Sequence, residues 1–279
     1  ARPKTLPAAI APVLVGTSFA GYNASILHTL LALIVGVALQ VGVNYANDYS
    51  DGVKGTDADR VGPMRLVGSG AASADAVKKA AFISFAVAAL AGLILASRTS
   101  WLLIILGAIC IVAAWTYTGG PKPYGYQAMG EVSVFIFFGV VATVGTYYVQ
   151  TESVSREVLL ASFAMGALAC AILVLNNLRD LPKDDVAGKK TLAVVMGDKS
   201  TRDLYKWLMF FALVMSIALS FFSFFYLLAL VSLPLISKSV RAVSTGASGP
   251  ALIDLLVKTG RIQIIYAVAL SLAAWLVAR

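Results

Sequence analysis

The chain has 279 residues, of which 59% are hydrophobic and only 13% are charged, and its mean hydropathy is +0.84. This composition is too apolar for an ordinary soluble domain and predicts an all-α membrane protein, with residues 1–279 forming a single transmembrane domain. A net charge of +8 is compatible with a nucleic-acid partner, but the positions of the charges along the chain argue against one.

Nine apolar segments are long enough to cross a hydrocarbon core of about 30 Å as helices. They cover residues 6–22, 28–47, 76–97, 100–117, 128–150, 157–178, 203–221, 223–240 and 262–278. The seventh and eighth segments form a nearly unbroken apolar run, so their boundary is the least sharply defined. The pattern predicts nine transmembrane helices.

The basic residues are distributed unevenly between the two sides that these nine segments define. The N-terminus and the connections after the even-numbered segments hold 19 of the 22 Lys and Arg residues, and only Arg98, Arg156 and Arg279 fall on the other side. Cytoplasmic loops of membrane proteins are enriched in Lys and Arg. We therefore expect the N-terminus in the cytoplasm and the C-terminus outside, with the lipid bilayer as the partner of the basic surface.

The first cluster of acidic residues follows the second apolar segment, in the stretch NYANDYSDGVKGTDADRVGPMRLVGSG at residues 44–70. On a continuing helix, Asn44, Asp48 and Asp51 share one face because they are spaced by four and three residues. Carboxylates placed so close together repel each other, and a divalent cation removes that repulsion. The spacing favours a metal site.

The chain after Asp51 is expected to fold back over this face. Gly52 and Gly55 break the predicted helix, so that Asp57 can approach the same site. Cationic residues follow, and Arg65 in particular suits a phosphate, because a planar guanidinium forms two parallel hydrogen bonds to it.

Two other basic positions have both a structural and a functional interpretation. Lys4 either anchors the first helix at the membrane surface or faces the ligand of the acidic residues. The connection YTGGPKPYGYQAMGE at residues 117–131 contains Lys122, a candidate phosphate-binding residue, and Glu131, a candidate buried acid. An ordinary turn with a cytoplasmic anchor would have the same composition.

The second acidic cluster, NNLRDLPKDDVAGKKT at residues 176–191, follows the sixth segment. Asn176 and Asp180 repeat the spacing of Asn44 and Asp48, each 132 residues later. The repeat predicts two duplicated four-helix halves with a ninth helix appended, and two clusters that face one central cavity.

Pro182 lies between Asp180 and Asp184 and is expected to interrupt the helix there. The loop that follows is the most basic of the chain. Membrane anchoring explains much of its charge, but Lys183 and Lys189 neighbour the second pair of carboxylates and are candidates for binding an anion.

Two sets of carboxylates, flanked by amides and cations at one end of an apolar bundle, suit a diphosphate carried on a long lipid tail. Oxygen ligands would hold Mg²⁺, which typically bridges to substrate phosphates, and the apolar helices would accept the tail. Neutralising the diphosphate makes it a leaving group. Loss of an allylic diphosphate leaves a carbocation that an electron-rich ring can attack.

The motifs NxxNDxxD at residues 44–51 and NxxRDxxxD at residues 176–184 resemble the two aspartate-rich motifs of the UbiA superfamily of intramembrane aromatic prenyltransferases. The longer strings around them, together with residues 117–131, are similar to the branch that prenylates 1,4-dihydroxy-2-naphthoate in menaquinone synthesis. The resemblance covers residues 1–205, and the last three segments match only in their hydrophobic character.

The resemblance implies nine transmembrane helices around a central cavity in the cell membrane of a prokaryote. It implies Mg²⁺-dependent transfer of a polyprenyl group from polyprenyl diphosphate to 1,4-dihydroxy-2-naphthoate, with loss of CO₂ and diphosphate, to give a demethylmenaquinol. The expected catalytic carboxylates are Asp48, Asp51, Asp180 and Asp184. The expected metal ligands are these four together with Asn44 and Asp57. The expected substrate-binding residues are Lys4, Lys54, Arg60, Arg65, Tyr117, Lys122, Asn176, Arg179 and Lys183.

Three alternatives remain open from the residues. The acceptor could be another phenol, such as 4-hydroxybenzoate or homogentisate, because pocket shape decides which ring fits. A divalent-cation or proton-coupled transporter also uses intramembrane carboxylates, but it places them near mid-membrane beside broken helices, whereas these clusters lie at one face. A non-catalytic lipid-binding or scaffold protein would leave the acidic pairs unexplained.

Overall fold

The structure is a computed structural model that describes residues 5–54 and 65–279. Within these ranges it contains nine helices: α1 Pro7–Phe19, α2 Ile26–Val53, α3 Ala74–Arg98, α4 Leu102–Thr116, α5 Gly130–Thr151, α6 Arg156–Val186, α7 Leu192–Ser220, α8 Phe224–Ser244 and α9 Pro250–Val277. The predicted site residues Lys4, Asp57 and Arg60 lie outside the described residues.

Each helix coincides with one of the nine apolar segments, which confirms the all-α prediction. Seven are long and apolar enough to cross a membrane, and α1 and α4 are shorter apolar helices of 13 and 15 residues. Three helices are irregular. The helix α5 has π-helical turns at Phe135–Val141, and α8 begins with a 3₁₀ segment at Phe224–Ser232. The helix α7 is kinked at Gly197, whose φ of 78° and ψ of 170° are not helical.

Several helices extend beyond the apolar segments. The helix α7 begins at Leu192, eleven residues before the predicted start, and Thr191 caps it by accepting a hydrogen bond from the Val194 N–H. The predicted interruption at Pro182 is wrong, because α6 continues through that residue to Val186. Proline removes only one backbone donor, and Pro182 is exposed and lies four residues before the end of the helix, where its removal of that donor costs little.

Helix packing follows the two halves of the sequence. In the first half α2 packs on α3, in the second α6 packs on α7, and α1 contacts α2, α5, α6 and α9. Close approach depends on small residues, as expected in a membrane. A Cβ added to Gly139 of α5 would lie only 2.4 Å from the Cα of Gly166 in α6.

Connections that are two helices apart in the sequence lie at the same end of the bundle. At one end, the backbone N–H of Ala128, before α5, donates to the carbonyl of Lys190, before α7, at 2.8 Å. At the other end, the Ser25 N–H, before α2, donates to Gln150 Oε1, near the end of α5, at 2.7 Å. Both acidic clusters therefore lie at one end of the bundle, where α2 and α6 finish.

Candidate active site

A cavity of about 520 Å³ lies among helices α1 to α6. Most of its wall is formed by Ala, Val, Leu, Ile and Phe side chains of these helices. Charged and amide side chains gather where α2 and α6 end. These residues are Gln40, Asn44, Asn47, Asp51, Arg65, Asn176, Asn177, Asp180, Lys183, Asp184 and Lys189. The two acidic clusters thus contribute to one cavity, as the repeat predicts.

Asp51 is the centre of the polar end of the cavity. Its Oδ1 accepts a hydrogen bond from Lys189 Nζ at 2.8 Å and another from the Tyr126 hydroxyl, and its Oδ2 accepts one from Arg65 Nη2 at 2.9 Å. The residue is only 4% exposed, and a buried carboxylate needs partners of this kind. Among the described residues, Lys189 and Arg65 both bind this carboxylate, one at each oxygen.

Tyr126 joins the lysines of two different connections. Lys54 Nζ and Lys189 Nζ each lie 4.9 Å from the centroid of its ring, within the range of cation–π attraction. Burial, and next to it the charge of Asp51, raise the pKa of the Tyr126 hydroxyl, which therefore stays protonated and donates to Asp51. Burial lowers the pKa of Lys54, and Asp51 opposes that shift.

Asp48 lies behind the cavity wall. Its two carboxylate oxygens accept backbone hydrogen bonds from Leu66 at 3.0 Å and Val67 at 3.1 Å. Its place in the wall is taken by Asn47, whose Oδ1 accepts a hydrogen bond from the Thr118 hydroxyl at 2.7 Å. Asp48 therefore fixes the chain that returns toward α2.

The returning chain packs closely against the end of α2. A Cβ on Gly52 would lie 2.5 Å from the side chain of Val67, so glycine is required for this contact. The contact also places Arg65 beside Asp51. The predicted fold-back of the chain after α2 is thus present at residues 65–70, although the glycine itself lies within the helix.

The second cluster is organised by an arginine within α6. Arg179 donates to both oxygens of Asp180, from Nε at 2.7 Å and Nη2 at 2.7 Å, and Nη2 also donates to Asn176 Oδ1 at 2.8 Å. Asn176, Asp180 and Asp184 line the cavity, but Arg179 does not. Arg179, predicted to bind substrate, therefore lies outside the wall and binds Asp180 and Asn176.

The remaining predicted substrate-binding residues divide into two groups. Tyr117, Lys183 and Arg65 line the cavity, whereas Lys54 lies beside it and donates to the Thr118 carbonyl at 3.2 Å. Lys122 is exposed and outside the wall, so the structure does not bring it to the site.

The donor set fits Mg²⁺ with a diphosphate. Carboxylate and amide oxygens are the ligands that Mg²⁺ prefers, and it is usually held by one or two carboxylates together with substrate phosphates. The described acids accordingly form no closed cage of three or more. Arg65, Lys183 and Lys189 supply cations for phosphate oxygens, while the apolar wall suits a hydrocarbon tail.

Known proteins provide an independent comparison. The chain matches the UbiA prenyltransferase family over residues 9–247. It is 50% identical over 273 residues to the 1,4-dihydroxy-2-naphthoate octaprenyltransferase of Mycobacterium tuberculosis, covering 97% of this chain and 94% of that protein. It is 39% identical over 254 residues to the Escherichia coli protein of the same name, covering 87% and 82%.

Two solved structures share the fold. A UbiA homolog from Aeropyrum pernix K1 superposes with a TM-score of 0.77 at 15% identity, covering 96% of this chain and 98% of that one. A UbiA homolog from Archaeoglobus fulgidus bound to DMAPP and Mg²⁺ superposes with a TM-score of 0.69 at 17% identity, covering 99% and 97%. The chain therefore belongs to the UbiA prenyltransferase family.

Proposed function

We propose that the protein transfers a polyprenyl group from a polyprenyl diphosphate to 1,4-dihydroxy-2-naphthoate, releasing CO₂ and diphosphate and giving a demethylmenaquinol. The observation that carries the proposal is the cavity itself, in which carboxylates, amides and cations lie at one end of an apolar chamber. The names of the bacterial relatives support the naphthoate as acceptor.

Mg²⁺ would be held by four of the residues predicted from the sequence, Asn44, Asp51, Asp180 and Asp184, which line the cavity. Asp48 lies behind the wall and holds the returning chain instead. When bound, the ion neutralises charge on the diphosphate and makes it a better leaving group.

The cations of this chain act on the same diphosphate. Lys189, Arg65 and Lys183 bind its outer oxygens and stabilise the negative charge that develops as the carbon–oxygen bond breaks. The electron pair of that bond leaves with the diphosphate. The apolar wall holds the tail and excludes water, which would otherwise capture the allylic cation.

The ring carbon that bears the carboxylate attacks the allylic cation and forms the new carbon–carbon bond. The bond between this ring carbon and the carboxylate then breaks. CO₂ leaves, and the electron pair of the broken bond returns to the ring. The dihydroxylated ring is strongly activated, and the step needs no strong base from the chain.

We also propose that the polar end of the cavity faces the cytoplasm of a prokaryotic cell. The support is the bias of Lys and Arg, of which 19 of 22 lie on the side of the N-terminus. The connections between α2 and α3, α4 and α5, and α6 and α7 would then be cytoplasmic.

The proposal is tested with membranes that contain the protein. They are given a labelled polyprenyl diphosphate and, in turn, 1,4-dihydroxy-2-naphthoate, 4-hydroxybenzoate and homogentisate, with Mg²⁺ or with EDTA. We expect a prenylated lipid and CO₂ only with the naphthoate and Mg²⁺. Product formed only with another ring acid would show that this acid, and not the naphthoate, is the acceptor. Mg²⁺ uptake into vesicles without any product would favour a transporter.

A further inference from the structure

The start of α5 contacts the cavity wall through a buried acid that the proposed mechanism does not use. Glu131 is the second residue of α5 and is 8% exposed. Its Oε1 accepts a hydrogen bond from Asn177 Nδ2 at 2.9 Å, across to α6. Its Oε2 is buried and forms no hydrogen bond with the described residues. Burying a carboxylate in this way is costly, so the position calls for an explanation.

The partner of this acid belongs to the cavity. Asn177 lines the wall three residues before Asp180 and four after Leu173, and so lies between the charged end and the apolar chamber. Its amide nitrogen is committed to Glu131. Within the described chain nothing donates to its Oδ1, and that oxygen is not enclosed by protein.

The amide oxygen defines which ligand group can meet it. A carbonyl oxygen accepts a hydrogen bond and cannot donate one, so it pairs with a hydroxyl and repels a carboxylate or a phosphate. Were the amide reversed, its NH₂ group would face the cavity and favour anions. The contact with Glu131 therefore decides the polarity of this part of the wall.

Glu131 is held in place from two further sides. The Cys170 thiol donates to the backbone carbonyl of Glu131 at 3.0 Å. A Cβ on Gly130 would lie 3.0 Å from the Tyr117 hydroxyl, so the start of α5 packs directly against another residue of the cavity wall. These contacts fix the carboxylate relative to α6.

The helix dipole is a competing explanation for Glu131, because it stabilises an acid at a helix N-terminus. Glu157 provides a control for this explanation. Glu157 is the second residue of α6, as Glu131 is of α5. It lies at the opposite end of the bundle and outside the cavity wall. Replacing Glu157 removes the dipole contribution without touching the cavity.

We propose that Glu131 is a positioning residue for the aromatic acceptor: by holding the amide nitrogen of Asn177, it turns the amide oxygen toward a hydroxyl group of the ring. The inference rests on the proposed function. In this role Glu131 transfers no proton, and a glutamine that turns its amide oxygen toward Asn177 offers the same acceptor at the same reach.

The test measures KM for the acceptor and KM for the polyprenyl diphosphate separately, in the purified wild type, E131L, E131Q and E157L, together with the midpoint of thermal unfolding. In E131L we expect the acceptor KM to rise about tenfold, the size of one neutral hydrogen bond, with the donor KM unchanged. E131Q and E157L should keep the wild-type acceptor KM within about twofold.

A further variant covers the case in which E131L does not fold. E131N remains polar but is one methylene too short to reach Asn177, and it should behave as E131L does. Wild-type transfer combined with an unchanged acceptor KM in E131N, or an E131Q as impaired as E131L, overturns this inference alone. A wild-type chain that prenylates no ring acid overturns the proposed function and this inference together.

Discussion

Lys189 Nζ lies 2.8 Å from Asp51 Oδ1, although 138 residues separate the two in the sequence. The pair joins the connection after α6 to the end of α2, and so ties the second acidic cluster to the first. Arg65 binds the other oxygen of the same carboxylate. The polar end of the cavity therefore holds both cations and acids in fixed positions, as a metal-bound diphosphate requires.

Replacing Lys189 by methionine should weaken binding of the prenyl diphosphate. We expect its KM to rise at least about tenfold, because a charge-assisted hydrogen bond contributes about 1.5–3 kcal/mol. Lys190→Met is the matched control, since Lys190 is exposed and its ion pair among the described residues is with Asp185, at 3.7 Å. The measurement is steady-state kinetics at varied concentrations of the prenyl diphosphate. Equal KM values in the two variants would contradict the assignment of Lys189 as a diphosphate-binding residue.

Tyr126 should matter through both its hydroxyl and its ring. Tyr126→Phe keeps the ring beside Lys54 and Lys189 but removes the hydrogen bond to Asp51, and kcat/KM for the donor should fall about tenfold. Tyr126→Leu also removes two cation–π contacts, each contributing about 0.5–1 kcal/mol, and should be several-fold worse again. A leucine variant as active as the wild type would show that the ring positions neither lysine.

The close contact between α5 and α6 predicts that alanine changes the stability of the protein differently at two glycines of α5. Gly139→Ala places a methyl group 2.4 Å from the Cα of Gly166 and should lower the free energy of unfolding by about 1–3 kcal/mol. Gly145→Ala meets nothing within 4 Å and should be neutral or stabilising, because alanine is the better helix former. Thermal unfolding in detergent compares the two, and equal midpoints would contradict the close approach.

The orientation in the membrane is tested with two single cysteines in a background where Cys110 and Cys170 are replaced by alanine. Lys122→Cys lies at the polar end of the bundle, and Val154→Cys, at a position 52% exposed, lies at the other end. A membrane-impermeant thiol reagent should label Lys122→Cys in inverted vesicles and Val154→Cys in intact cells. The reverse pattern would place the site outside.

The helices could be predicted from the sequence because bilayer thickness sets the length of an apolar segment, and all nine were found. Their ends could not, because polar turns outside the hydrocarbon core carry no apolar signal. This is why α7 begins at Leu192 and α9 at Pro250. Pro182 misled the prediction for a different reason, since a proline near an exposed helix end costs little.

The cavity-lining acids Asp51, Asp180 and Asp184 could be predicted from their spacing along two helices. Spacing alone could not decide between Asn47 and Asp48, which neighbour the same helix face, and packing of the returning chain turns Asp48 away from the cavity.

Contacts between separate connections carry no local signal. The partnership of Tyr126 with Asp51 spans 75 residues, and that of Glu131 with Asn177 spans 46. The four-residue spacing of Asn44 and Asp48 is repeated at Asn176 and Asp180, but no repeated spacing indicates these two pairs. They become visible only when the helices are packed.

The central claim is that both acidic clusters hold one magnesium-bound diphosphate, and equilibrium binding of a labelled polyprenyl diphosphate tests it most directly. The proteins compared are the wild type, Asp51→Asn, Asp180→Asn and the double variant, each with Mg²⁺ or with EDTA, and Asp185→Asn serves as the exposed control. The account predicts Mg²⁺-dependent binding in the wild type and the control, and its loss in either single variant, with no further loss in the double. Undiminished Mg²⁺-dependent binding in either single variant would contradict it.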